Sequence, residues 1–159
     1  MKNTPELLAL QQAYMTCRAH EEALRDALGD LEQRKLSPSD MSVLGKEDRR
    51  LLDQFAYRYT CLQDDMGAKL IPAVLHALGE EIATMPMLDR LSRMEQLGWL
   101  PDAEGWADLR RIRNEFAHDY PETMEERFER LQLAIAAAQR VTEIFISMSQ
   151  KIRARYPGI

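Results

Sequence analysis

The sequence has little that would hold it together covalently. Its two cysteines, Cys17 and Cys61, form no CxxC pair and no disulfide framework, which excludes a disulfide-scaffolded domain and points to a reducing compartment. Histidine is scarce as well: His20, His76 and His118 lie far apart and show no ligand spacing, so neither a metal nor a cofactor is expected. No apolar run approaches the roughly 18 residues needed to span a bilayer. The first residues, MKNTPELLAL, lack the basic-then-apolar layout of a signal peptide. The expectation is a cytoplasmic protein with no membrane contact. A basic excess is missing too. Lys plus Arg is 21 against 26 for Asp plus Glu, a formal charge of −5, which rules out a nucleic-acid binder that is basic all over. Any contact with nucleic acid must use a local patch. Strict alternation of apolar and polar residues is absent, so no strand is expected.

What remains is a globular composition, 45% apolar and 30% charged, in 159 residues. That is the size of one ordinary domain, and a single domain over 1–159 is expected. The 7 glycines and 7 prolines cluster at a few points, and between them apolar residues recur at helical spacing. The first helix starts at Thr4 with Pro5 in its first turn and carries Leu7, Leu10, Tyr14, Cys17, Leu24, Leu28 and Leu31, with Glu21 the one polar interruption. Ser37-Pro38-Ser39-Asp40 ends it. The second runs from about Lys46 to Leu78 on Leu52, Phe55, Tyr59, Leu62, Met66 and Leu70. Pro72 inside that pattern predicts a kink or break near Ala68 or Lys69, and Gly79 a stop. A short third helix carries Leu88, Leu91 and Met94, with Gly98 placed for a left-handed cap. Asp102 caps a fourth, with Trp106, Leu109, Ile112 and Phe116 inward and Pro121 at its end. Thr123 and Glu126 have capping-box spacing for a long fifth helix on Met124, Phe128, Leu131, Ile135, Ala138, Phe145, Met148 and Ile152. The fold class is all-α, an antiparallel bundle of about five helices.

One segment stands out: Arg110-Arg111-Ile112-Arg113-Asn114-Glu115-Phe116-Ala117-His118-Asp119-Tyr120-Pro121. Its pattern Arg-x4-His-x-Tyr is uncommon, about 0.01 occurrences being expected from this composition. An imidazole acts as general base or acid near neutral pH. A guanidinium stays charged and matches a phosphate with two parallel hydrogen bonds. Together they suffice for metal-independent RNA cleavage: the base removes the 2′-hydroxyl proton, the oxygen attacks the adjacent phosphate, and the cation stabilises the charge that develops. On a regular helix, however, five residues turn roughly 500°, so Arg113 and His118 sit about 140° apart. Either the helix unwinds or tightens near Ala117, or two copies of the motif meet around a two-fold axis. A purely structural role also fits these residues: Arg113 paired with a carboxylate at the core edge, His118 complementing the helix dipole, and Tyr120-Pro121 forming a turn. His20 and His76 read as surface or packing residues. Asp64 and Asp65 diverge by about 100°, against a joint acid–base role, although one of them, or Arg58, is placed to face Arg113 from the neighbouring helix.

At these residues the sequence resembles the HEPN superfamily and, within it, the HepT-type toxins. Their signature, Arg-x4-His-x-Tyr near the end of an inner helix of a small bundle, reads here from Arg113 to Tyr120 without a departure, and Asn114 supplies the usual polar residue after the arginine. LLDQFAYRYTCLQDDMGAKLIPAVL followed by MLDRLSRMEQLGWL also looks like this family, and the resemblance covers roughly residues 5–150. It implies a symmetric homodimer with the motif lining the cleft between protomers, and an endoribonuclease toxin. It also implies a minimal nucleotidyltransferase antitoxin that transfers AMP from ATP to Tyr120, blocking RNA by bulk and negative charge. On this reading Arg113 holds the scissile phosphate and His118 transfers the proton. Asn114 orients the site, Asp119 orients His118 or tunes it, and Arg110 and Arg111 contact phosphate. The acidic net charge favours a narrow basic cleft and a structured substrate such as tRNA. The rival reading is a non-catalytic subunit that docks to a nucleotidyltransferase and positions a substrate for it.

Overall fold

The computed structural model describes residues 3–118 and 123–159. Helix α1 (Pro5–Arg34) starts where the sequence places it: the Thr4 hydroxyl accepts from the Leu7 amide at 3.2 Å, with Pro5 in the first turn. It ends at Lys35, a non-glycine residue in the left-handed region at φ 51°. A 3-10 turn (Pro38–Ser42) follows, closed by the Asp40 carboxylate, which accepts from the Ser37 amide at 2.8 Å.

The second rod is continuous. Helix α2 (Lys46–Asp65) passes through a π-helical turn (Met66–Leu70) into α3 (Ile71–Ala77). Pro72 is the cause. In an ordinary helix its ring would meet the carbonyl of Ala68, and it has no N–H to donate. Widening the preceding turn relieves that conflict without breaking the rod, and the Ile71 amide bonds five residues back to Met66. The discontinuity expected near Ala68 is therefore a π turn. Gly79, at φ 84°, stops the rod.

Helix α4 (Met87–Gln96) ends before Gly98 at φ 79°. The loop leading into it is pinned by Arg90, which donates to the carbonyls of Met85 and Ile82, and by an Arg93–Glu80 ion pair at 2.8 Å. Leu91 and Met94 are buried, but Leu88 is 68% exposed: with Met87 half-buried, the inward stripe runs 87, 91, 94 and leaves Leu88 outside. Helix α5 (Ala103–His118) is capped by Asp102, whose carboxylate accepts from the Glu104 amide at 3.1 Å. Helix α6 (Met124–Arg155) is capped by the Thr123 hydroxyl, which accepts from Glu126. Pro121 lies outside the described residues.

Five helical rods and no strand make up the described residues. Helix α1 packs along α2 and α3, α6 lies against α1 and α5, and α5 also meets α2 and α4. Apart from Leu7 and Leu88, the predicted stripes form or pack against one core, with Leu10, Leu24, Phe55, Leu62, Leu70, Met148 and Ile152 fully buried. Each such side chain contributes about 1.5–3 kcal/mol by leaving water. Among the described residues no helix is long and apolar enough to cross a membrane.

Candidate functional site

The inward face of α5 is Trp106, Leu109, Arg113 and Phe116, spaced three to four apart. Arg113 thus occupies a core-facing position in an otherwise apolar stripe, and only 15% of its side chain is exposed. Trp106 and Leu109 anchor the helix on one side of it. On the other, the Phe116 ring packs 5.9 Å from both Phe55 and Tyr59 of α2, which are themselves 5.6 Å apart. These contacts set the height of Arg113 against α2.

Across the interface the Arg113 Nη2 donates to Asp64 Oδ2 at 2.6 Å; within α5 its Nη1 donates to Asn114 Oδ1 at 3.4 Å. The Asp64 carboxylate is 52% exposed, so the ion pair spans the boundary between core and solvent. Beneath it, four buried polar atoms have no hydrogen-bond partner: the Arg113 Nε, the Tyr59 hydroxyl, and both amide atoms of Gln63. Among the described residues these are the only buried side-chain polar atoms left so. Burial pushes the Tyr59 phenol well above its ordinary range; the Asp64 carboxylate adds to the effect and Arg113 opposes it. Tyr59 therefore remains a neutral hydroxyl.

A cavity of about 320 Å³ opens beside the ion pair. Gln63, Asp64, Gly67 and Ala68 wall it from the rod of α2 and its π turn, and Trp106, Arg110, Arg113 and Asn114 from α5. Met87 closes the remaining side. The π turn enters the site directly, because Gly67 and Ala68 belong to it.

Of the residues singled out from the sequence, Arg110, Arg113 and Asn114 are brought together here. Arg111 points elsewhere on α5 and pairs with Asp108 at 3.3 Å. His118 is exposed at the last turn of α5 and does not line the cavity. The helix stays α-helical through His118, so local unwinding ahead of it does not bring the imidazole round to Arg113. Asp119 and Tyr120 lie outside the described residues.

The neighbouring carboxylates separate as helical geometry demands. Asp64 faces α5, whereas Asp65 faces α1, where its Oδ2 lies 3.4 Å from the His20 Nε2 and its Oδ1 3.7 Å from Lys69. His20 Nδ1 is 3.1 Å from the Arg58 guanidinium, which has only donors, so that nitrogen is the acceptor. The Tyr57 ring meets His20 edge-on. Arg58 thus belongs to this clasp between α1 and α2 and not to the Arg113 site. His76 is exposed on α3.

Cysteine chemistry at the α1–α2 contact is closed off at Cys17: burial pushes its thiol up to about 12, the Asp65 carboxylate adding to the effect. Among the described residues no group of His, Cys, Asp or Glu is arranged to hold a metal ion. No family model, no curated protein and no solved structure matches the chain.

Proposed function

We propose that the chain is a HEPN-like, metal-independent endoribonuclease of a toxin–antitoxin pair, working in the cytoplasm as a symmetric homodimer. The observation that carries the reading is the placement of Arg113. A guanidinium is held by Asp64 at the mouth of a cavity, on the helix that ends at His118. A largely enclosed arginine held by one carboxylate and one amide oxygen keeps donors available for a phosphate, and positioning of that kind is what phosphoryl chemistry asks of a protein.

In this proposal Arg113 binds the scissile phosphate and stabilises its developing charge. His118 removes the 2′-hydroxyl proton, the 2′-oxygen attacks phosphorus, and the P–O5′ bond breaks to leave a 2′,3′-cyclic phosphate and a 5′-hydroxyl that takes its proton from water. Arg113 is buried against α2 while His118 is exposed, so the two act on one phosphate from different protomers, across a two-fold axis. Asn114, 3.4 Å from the guanidinium, steadies it. Asp119 orients His118, Arg110 and, at longer range, Arg111 draw in the RNA backbone, and Tyr120 receives AMP from a minimal nucleotidyltransferase antitoxin. An adenylyl group there adds negative charge and bulk where phosphate must enter.

Changing His118 to Ala tests the reading against a subunit that only docks to a nucleotidyltransferase. A ribonuclease loses RNA cleavage and toxicity while still binding its antitoxin. A docking subunit has no cleavage to lose. Incubation with ATP and the antitoxin, followed by mass spectrometry, should add one AMP at Tyr120; no gain in mass there removes the modification from the proposal.

A further inference from the structure

We infer that the cavity between α2 and α5 seats the base of a nucleotide, with the nucleotide's phosphate on Arg113 and Arg110. The inference takes the position of the phosphate from the ribonuclease reading and adds what recognises the group next to it.

Three independent features converge on this cavity. The first is Gln63. It forms part of the wall, is 2% exposed, and neither its amide nitrogen nor its amide oxygen has a partner. Buried side-chain amides are nearly always satisfied, so an enclosed, orphaned amide on a residue that walls an open space is one that a ligand can satisfy once the side chain turns into the cavity. The second is the π turn at Met66–Leu70, a distortion that recurs at functional sites and here brings two small residues, Gly67 and Ala68, to the wall. A side chain built on Gly67 would point at the Trp106 ring, 4.0 Å from its Cβ, so glycine keeps that part of the floor open. The third is a lining that mixes apolar and cationic groups, with Trp106 and Met87 beside Arg110 and Arg113.

The combination selects a chemical class. Turned toward the cavity, the Gln63 amide presents a donor beside an acceptor, the complement of the donor–acceptor edge that nucleobases carry. Met87 and Gly67, with the small accessible edge of Trp106, offer an apolar surface for such a ring. The guanidiniums suit the attached phosphate. An inorganic anion would leave Gln63 unpartnered, and a purely apolar ligand would leave both arginines facing it. A free nucleotide and a nucleotide within RNA share this chemistry.

The test uses the full-length His118→Ala protein, which binds without turnover, and calorimetric titration with inorganic phosphate, each of the four nucleoside 5′-monophosphates, and a short oligoribonucleotide. At least one monophosphate should bind roughly tenfold or more tightly than phosphate. If the oligoribonucleotide binds more tightly still, the occupant is a residue of an RNA strand; if it binds no better, the occupant is a free nucleotide. Gln63→Leu keeps the volume and removes both orphaned atoms. It should raise the midpoint of thermal unfolding while weakening nucleotide binding about tenfold to a hundredfold. Gly67→Leu, which fills the floor, should weaken nucleotide binding similarly while leaving phosphate binding unchanged. Phosphate binding as tightly as every nucleotide, or undiminished nucleotide binding in both variants, overturns the inference. Nucleotide binding with the predicted variant effects in a protein whose wild type cuts no RNA would leave the pocket standing and remove the ribonuclease reading. RNA cleavage with both variants silent in binding would do the reverse.

Discussion

The Arg113 guanidinium and the Asp64 carboxylate meet at 2.6 Å across the contact of α5 with α2. They are 49 positions apart in the chain, and their ion pair ties the motif helix to the wall of the cavity that α2 supplies. Asp64→Ala should lower stability by only about 1 kcal/mol, because the carboxylate is half in solvent and the pair is screened. Its effect on RNA cleavage should be larger than that, since the guanidinium loses the contact that aims it. Asp64→Glu should restore part of the activity. Denaturation midpoints and cleavage rates measured on the same preparations check both statements.

Tyr59 tests the consequence of an orphaned hydroxyl. Its ring packs between Phe55 and Phe116, but its buried oxygen has no partner. Tyr59→Phe keeps the ring and removes the unpaired group, so urea unfolding should show a protein as stable as the wild type or more stable, by up to about 1 kcal/mol. Phe55→Ala at the same contact should cost about 3–5 kcal/mol. A large loss from Tyr59→Phe would reveal a hydrogen bond to that oxygen.

Acid should weaken the fold at two defined places. The Ser37 amide and hydroxyl hold the Asp40 carboxyl below its usual 3.8, and Arg93 holds Glu80 below its usual 4.5. Both groups are depressed in the folded state, so their stabilisation is complete above those ordinary values and is lost as pH falls through the lower folded ones. Urea midpoints should therefore decline progressively as pH falls below about 5. Glu80→Gln, which cannot titrate, should flatten that slope, and an unchanged slope would show that the Arg93 pairing contributes nothing.

Thiol labelling separates the two cysteines. Cys17 is fully buried and its thiol is pushed up to about 12, whereas Cys61 is partly exposed. A maleimide should label Cys61 in the native protein and reach Cys17 only after unfolding.

The rods were legible because periodicity and caps are local properties. Thr4, Asp102 and Thr123 each cap the helix the sequence assigns to them, and Gly79 and Gly98 take the left-handed geometry that stops one. Pro72 predicts a disturbance four residues upstream, but not its form, because a wider turn and a break answer the same steric conflict. Leu88 lies outside the core although its spacing fits the stripe, because a ten-residue helix has apolar residues to spare and only its neighbours select the stripe. Asp64 could be foreseen as one of several groups facing Arg113; that Arg58 instead joins His20 could not, since it depends on how α1 lies along α2. Gln63 was missed altogether. A glutamine on a helix carries no signal until its amide is found buried without a partner.

The most direct measurement is cleavage of RNA by the purified protein in excess EDTA, with wild type, Arg113→Ala and His118→Ala compared and the product ends analysed. The wild type should cut with the metal removed and leave 2′,3′-cyclic phosphate ends. Each single variant should lose activity by about 10²–10⁴-fold, and an equal mixture of the two variants, exchanged into mixed dimers, should recover part of it. Cleavage that needs a divalent metal, or that survives both substitutions, would contradict the ribonuclease reading.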